Sequence, residues 1–126
     1  MNSLTAHAAY QSNSVATASP ARLLVMLVER LVLDVERGLG AQQLGDWEGA
    51  HRNLVHAQDI VLELESSLQV DKMKGGAELA ALYAYLRNQL VLANIRRDAS
   101  VTTDALDLAH QICDTWREAA MTAAIQ

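Results

Sequence analysis

Between Trp47 and Leu68 the apolar residues fall at Trp47, Ala50, Leu54, Ala57, Val61, Leu64 and Leu68, in alternating steps of three and four. That rhythm keeps one side of an α-helix apolar for about six turns, and it cannot be carried by a strand, whose sides alternate every residue. A helix with a single apolar stripe has little stability alone in water. The segment therefore demands partners of the same kind.

The rest of the chain supplies them. Ser19-Pro20 predicts a sharp helix start, because the serine hydroxyl can accept from an orphan amide and proline fits the first helical position, where no donor is needed. From there to about Leu39 a stripe runs through Leu24, Val28, Leu31 and Val35, with Arg37 in the last turn and a stop at Gly38 and Gly40. Asp46 is the expected cap of the second helix. Val70 to Gly76 breaks the pattern as a loop, and a third stripe of Leu79, Tyr83, Leu86, Leu90 and Ala93 runs up to Arg97. Ser100 or Thr102 can cap a fourth helix carrying Ala105, Leu108, Ile112, Trp116 and Ala119. Four helices with short connections predict an all-α fold, an antiparallel up-down four-helix bundle over residues 20–122. An extended or short-helical N-terminal arm, residues 1–19, precedes it.

Composition agrees, with 51% hydrophobic residues, no Phe and one Pro in 126 residues. The single Cys113 excludes an internal disulfide, and no Cys/His spacing suggests zinc. A formal charge of −5 argues against nucleic acid or an anionic membrane surface as the main partner. The amino terminus has neither the basic start nor the apolar core of a signal peptide, and no apolar run approaches spanning length, so neither export nor membrane insertion is expected. The expected location is the cytosol.

Catalytic constellations are hard to assemble. Glu48 with His51 and Asp107 with His110 are spaced at i, i+3, which is half of a di-metal carboxylate site in a helical bundle. The inward glutamates that such a site also needs are missing: Glu78 is near the start of its helix, and Glu29 and Glu36 lie beside the stripe. These pairs read as surface groups, as do His7 and His56, which have no spacing partner. Cys113 reads as a small hydrophobe, and Gly75-Gly76 lacks the lysine and spacing of a phosphate loop. No catalytic residue, cofactor or metal is expected, and the chain is not read as an enzyme.

Apolar residues remain outside the four stripes: Val55 and Leu62 on the second helix, Leu82, Tyr85 and Leu92 on the third, Leu106 on the fourth. A second stripe on neighbouring helices is how a bundle offers a groove to an amphipathic partner helix.

Several segments, in order, resemble the flagellar export chaperone of flagellin, the FliS family. They are Tyr10-Gln11, Asn13-Ser14-Val15 and Thr17-Ala18-Ser19-Pro20, then Leu24 to Leu27, His56 to Leu64 with Ser67-Leu68, Gly75-Gly76 before Leu82-Tyr83, Leu90 to Asn94, and Trp116. The resemblance spans Tyr10 to about Glu118. Two positions depart from it: Val28 stands where the family often has tyrosine, and the aspartate usual after Ser-Leu is displaced to Asp71. The resemblance implies a bundle in the bacterial cytosol that binds the disordered carboxy-terminal segment of flagellin. It further implies that this prevents premature polymerisation and aids delivery to a component of the flagellar type III export gate. On that reading the six off-stripe residues are the expected client-binding surface, and Trp47, Leu54, Leu64, Leu86, Leu90 and Trp116 hold the core. Leu4 and Tyr10 of the arm are expected to cover the groove when no client is present, since a tethered arm competes at high effective concentration. A helical adaptor for another client and a di-metal bundle enzyme are the alternatives, and the chain alone leaves monomer and homodimer open.

Overall fold

The computed structural model describes residues 19–125, with side chains described through Thr122. It contains four helices, α1 (Pro20–Gln43), α2 (Trp47–Ser67), α3 (Gly76–Ile95) and α4 (Ala99–Ile125), with one turn of 3-10 helix at Val70–Lys72. No strand occurs among the described residues. α1 and α3 each pack on both α2 and α4, while the diagonal pairs do not pack. Three-residue connections at 44–46 and 96–98 force the helices they join to run antiparallel. The fold is the four-helix bundle that the stripes predict.

The core is built on those stripes, with Ala109 and Cys113 of α4 added to them. Val28, Leu31 and Val35 of α1 meet Leu54, Val61 and Leu64 of α2, Tyr83, Leu86 and Leu90 of α3, and Ala105, Ala109 and Ile112 of α4, all buried in one cluster. Each Val, Leu or Ile side chain so buried stabilises the fold by roughly 1.5–3 kcal/mol before entropy is counted. Cys113 is buried in the same cluster, and burial pushes its thiol pKa up.

The helix starts have visible causes. Ser19 Oγ accepts from the Arg22 amide at 3.0 Å with Pro20 in the first turn, and Asp46 Oδ1 accepts from the Gly49 amide at 3.0 Å. At α4 the cap is neither Ser100 nor Thr102. Asp98 Oδ1 accepts from the amides of Ser100 at 2.9 Å and Val101 at 3.4 Å, and these hydrogen bonds, those of Ser100 foremost, hold the Asp98 pKa below its usual value. Thr102 is instead fully buried, its hydroxyl donating to Gln42 Oε1 at 2.6 Å. Gln42 Nε2 in turn donates to the Ala93 carbonyl at 3.0 Å, so one amide ties together α1, α3 and α4 at this end of the bundle.

Several boundaries differ from the sequence reading. α1 does not stop at Gly38 and Gly40 but continues to Gln43, which takes Arg37 out of its last turn. Gly38 is buried against α2: a Cβ there would lie 2.7 Å from Leu54 Cδ2, so the missing side chain serves close helix packing rather than helix ending. α3 ends at Ile95; Arg96 follows as its cap and Arg97 turns the chain with φ 52°. Gly76 opens α3, and a Cβ on it would lie 2.5 Å from the Val70 carbonyl oxygen, which explains why the 3-10 turn can fold back onto this helix. Trp47 belongs to its stripe in register but is exposed, because it is the first residue of α2, where the neighbouring helix has already ended; the Arg97 guanidinium lies 5.1 Å over its ring. Ala119, last in the fourth stripe, is also exposed.

Candidate functional site

Of the four seams, that between α3 and α4 packs least extensively. An apolar groove of about 220 Å³ lies along it, walled by Leu79 and Leu82 of α3 and by Ile112, Thr115 and Trp116 of α4, with Met73 closing one end. Beyond Met73 and Trp116, which it shares, a second depression of about 260 Å³ opens toward Leu24 of α1 and Leu64 and Leu68 of α2. Trp116 is thus the partition between two hollows.

Its ring is held in place. Trp116 Nε1 donates to the hydroxyl of Tyr83 at 2.9 Å, which satisfies the only polar atom of each side chain and fixes the indole edge at the rim. Tyr83 is buried, and that burial pushes its pKa above 10.0 against the smaller opposing effect of the Trp116 hydrogen bond. The fold therefore holds the phenolic proton more tightly than the unfolded chain does. The contribution of Tyr83 to stability is fully present below pH 10.0 and is lost as the pH climbs past that value through the raised one. The urea midpoint of the protein is expected to drop more steeply above that pH than the midpoint of Tyr83→Phe; equal slopes would contradict the assignment.

The expected client-binding residues are dispersed around the bundle. Leu82 lines the groove. Leu106 is half-buried against the core from α4, and Leu92 is half-buried on α3. Tyr85 (57% exposed) and Leu62 (47% exposed) stand on the surfaces of α3 and α2. Val55 is half-buried and borders a different depression, at the α1/α2 seam. Leu4 and Tyr10 lie outside the described residues. Sequence reasoning placed Trp116 in the core and passed over Met73; the signal for both was position, a tryptophan near the end of a stripe and a methionine in the loop before α3.

Polar groups missed from the sequence lie at the α1/α2 seam. Asp34, in an apolar run one residue before the core residue Val35, is fully buried; it accepts from Arg30 Nε at 3.0 Å and pairs with Nδ1 of His56. His56 thus has a partner that helix spacing could not reveal, because it comes from the neighbouring helix. His51 and His110 are exposed, the first with Nδ1 2.9 Å from Asn94 Nδ2 and the second with Nε2 3.5 Å from Glu36 Oε1. Among the described residues no three His, Cys, Asp or Glu side chains gather into a metal-binding set. Nor is any described helix long and apolar enough to cross a membrane.

A helical bundle that leaves an apolar trough along one seam has the shape that can receive an amphipathic helix. Comparison with known proteins narrows this. The family model described as "Flagellar protein FliS" matches residues 1–123. The chain is 32% identical over 113 residues to the flagellar secretion chaperone FliS of Bacillus subtilis strain 168, covering 90% of this chain and 84% of that protein. It is also 28% identical over 108 residues to the FliS of Vibrio cholerae (82% of this chain, 77% of that one), and 28% identical over 115 residues to that of Escherichia coli K12 (87% and 82%). The chain belongs to the FliS family of flagellar secretion chaperones.

Proposed function

We propose that this protein holds the carboxy-terminal segment of flagellin in the α3/α4 groove, in the bacterial cytosol, and presents it to the flagellar type III export gate. The observation that carries this reading is the groove itself. From Ile112 to Ala119 its α4 wall advances by seven helical steps, about 10 Å of helix, which matches the span of apolar anchors at i, i+3 or i+4, and i+7 on a bound helix. A terminal segment that is disordered when free and helix-prone when bound would bury its self-associating face there. Polymerisation is blocked because that face is occupied. Ordering the segment consumes part of the interaction energy, so the complex remains releasable at the gate.

Leu82 stands beside Leu79 in the α3 wall of the groove, with Leu92, Tyr85, Leu62, Val55 and Leu106 as outlying contacts of a segment that wraps beyond the groove. Residues 1–18 enter just ahead of α1, whose Leu24 borders the hollow beside Trp116. The arm, through Leu4 and Tyr10, covers this region until the client displaces it. Calorimetric titration with the flagellin carboxy-terminal segment tests both statements. Leu82→Glu is expected to weaken binding about tenfold or more while the circular dichroism of the bundle is unchanged, and deletion of 1–18 is expected to strengthen binding or promote self-association. A folded Leu82→Glu protein with undiminished binding would overturn the groove assignment; a deletion that changes neither readout would overturn the role of the arm.

A further inference from the structure

On the opposite side of the bundle from the groove, the α1/α2 seam carries a depression of different chemistry, bordered by Arg30, Arg37, Arg52 and His56. We propose that it is a docking site for an acidic peptide segment of a partner protein, a site that does not depend on the reading of the α3/α4 groove.

Asp34 is the organiser. Its side chain is 1% exposed, while those of Arg30 and His56 are 48% and 52% exposed. It engages Arg30 through Nε and His56 through Nδ1, that is, through their inner edges. The two Nη groups of Arg30 and Nε2 of His56 make no hydrogen bond to any described residue. A buried carboxylate thus fixes the Arg30 guanidinium with its outer donors toward solvent, and holds His56 with Nε2 outward, a donor there only in the imidazolium form, so little side-chain entropy remains to be lost when an anion arrives. Because Asp34 meets His56 across an antiparallel pair, three residues further along α1 and about as many back along α2 bring Arg37 level with Arg52. Both are exposed, and neither has an ion-pair partner among the described residues. Two like charges facing each other over one depression repel, and a carboxylate placed between them relieves that repulsion. Apart from Asp34, the one acid bordering the depression is Asp59, one turn beyond His56.

The size of the patch selects the kind of anion. Arg30 to Arg37 spans about 10 Å of helix, close to one Debye length at moderate salt. The chain as a whole carries a formal charge of −5, which disfavours a polyanion that extends beyond the patch. A nucleic acid, charged every few ångströms along its length, would carry most of its charge outside a patch of this size. A peptide with a few carboxylates one helical turn apart is neutralised within it. Arginine supplies the planar fork that carboxylates match.

The test uses the full chain and fluorescence anisotropy with three labelled probes. One is a short helical peptide with glutamates at i, i+4 and i+7, the second is its glutamine counterpart, and the third is a single-stranded oligonucleotide of similar length. The glutamate peptide is expected to bind at low salt and to weaken as salt is raised, with the glutamine peptide at least tenfold weaker. Arg37→Glu/Arg52→Glu is expected to lose tenfold or more of the glutamate-peptide affinity, while Leu82→Glu retains it. Arg37→Gln/Arg52→Gln, which only removes charge, should show a loss in the same direction and covers the case in which the reversal perturbs folding. No binding of the glutamate peptide, equal binding by the arginine variants, or tighter binding of the oligonucleotide would each overturn the proposal.

Discussion

Replacing Gly38 by valine is expected to lower the thermal midpoint by about 10 °C, whereas Gly40→Ala, two residues further along the same helix, should raise it slightly. The two glycines share a helix and differ in what faces them. A Cβ at Gly38 would sit 2.7 Å from Cδ2 and 2.9 Å from Cγ of Leu54, which is fully buried and has nowhere to retreat. A Cβ at Gly40 meets nothing within 4 Å. Overpacking a core costs roughly 1–3 kcal/mol, and valine adds two methyl groups to the overlap, which places it at the upper end. Against this stands the gain from removing glycine inside a helix, about 1 kcal/mol, and at Gly40 that gain is all there is. The pair therefore separates packing from propensity, with opposite signs predicted from one helix. Equal shifts in one direction would mean that α1 and α2 are not in close contact at Gly38. A further check is Leu54→Ala, costing about 2–5 kcal/mol alone through the cavity it leaves. Combined with Gly38→Val it should cost less than the sum, by about 1 kcal/mol or more, since valine then occupies the space leucine gave up.

That contact shows where reading the sequence stopped. Gly38 and Gly40 carry the local signature of a helix end, and only the position of α2 reveals that one of them is a packing surface inside a longer helix. The same division runs through the molecule. The four stripes and the caps at Ser19 and Asp46 were legible because each depends on residues within a turn or two. The cap of α4 was not: Asp98, Ser100 and Thr102 are all competent, and the choice fell to Asp98 once Thr102 was drawn inward by Gln42 from α1. Trp47 and Trp116 occupy equivalent places near the ends of their stripes, yet one stands on the surface under Arg97 and the other lines a groove. The difference lies in what the adjacent helix still covers at that level. The groove itself is a property of spacing between α3 and α4, which no single helix encodes; of the six off-stripe residues on the bundle, only Leu82 was found lining it. Asp34 was visible as a carboxylate in an apolar run, but its meaning required His56, 22 residues away on another helix.

Asp34 also gives the second large effect, and an asymmetric one: removing its two donors should destabilise the protein more than removing the acid. In Asp34→Ala the groups released are Arg30 and His56, each about half exposed already, so both regain water and the loss is that of the charge-assisted hydrogen bonds, about 1.5–3 kcal/mol. In Arg30→Ala/His56→Ala the group left behind is a carboxylate with 1% of its side chain exposed, and water cannot reach it without opening the seam. An uncompensated buried charge of that kind costs about 3–5 kcal/mol. Urea denaturation of the two variants ranks them directly. Adding Asp34→Leu to the donor-less protein should recover most of the loss, because the position sits among Leu31, Val32 and Val35 and an apolar side chain leaves no charge to strand. If the donor-less variant is as stable as Asp34→Ala, the carboxylate is not held by these two residues, and the arrangement of donors at the α1/α2 seam loses its organiser. If the ranking holds, the ion cluster is a weak source of net stability whose effect is to fix Arg30 and His56 in place. That is what a preorganised surface for an incoming anion requires.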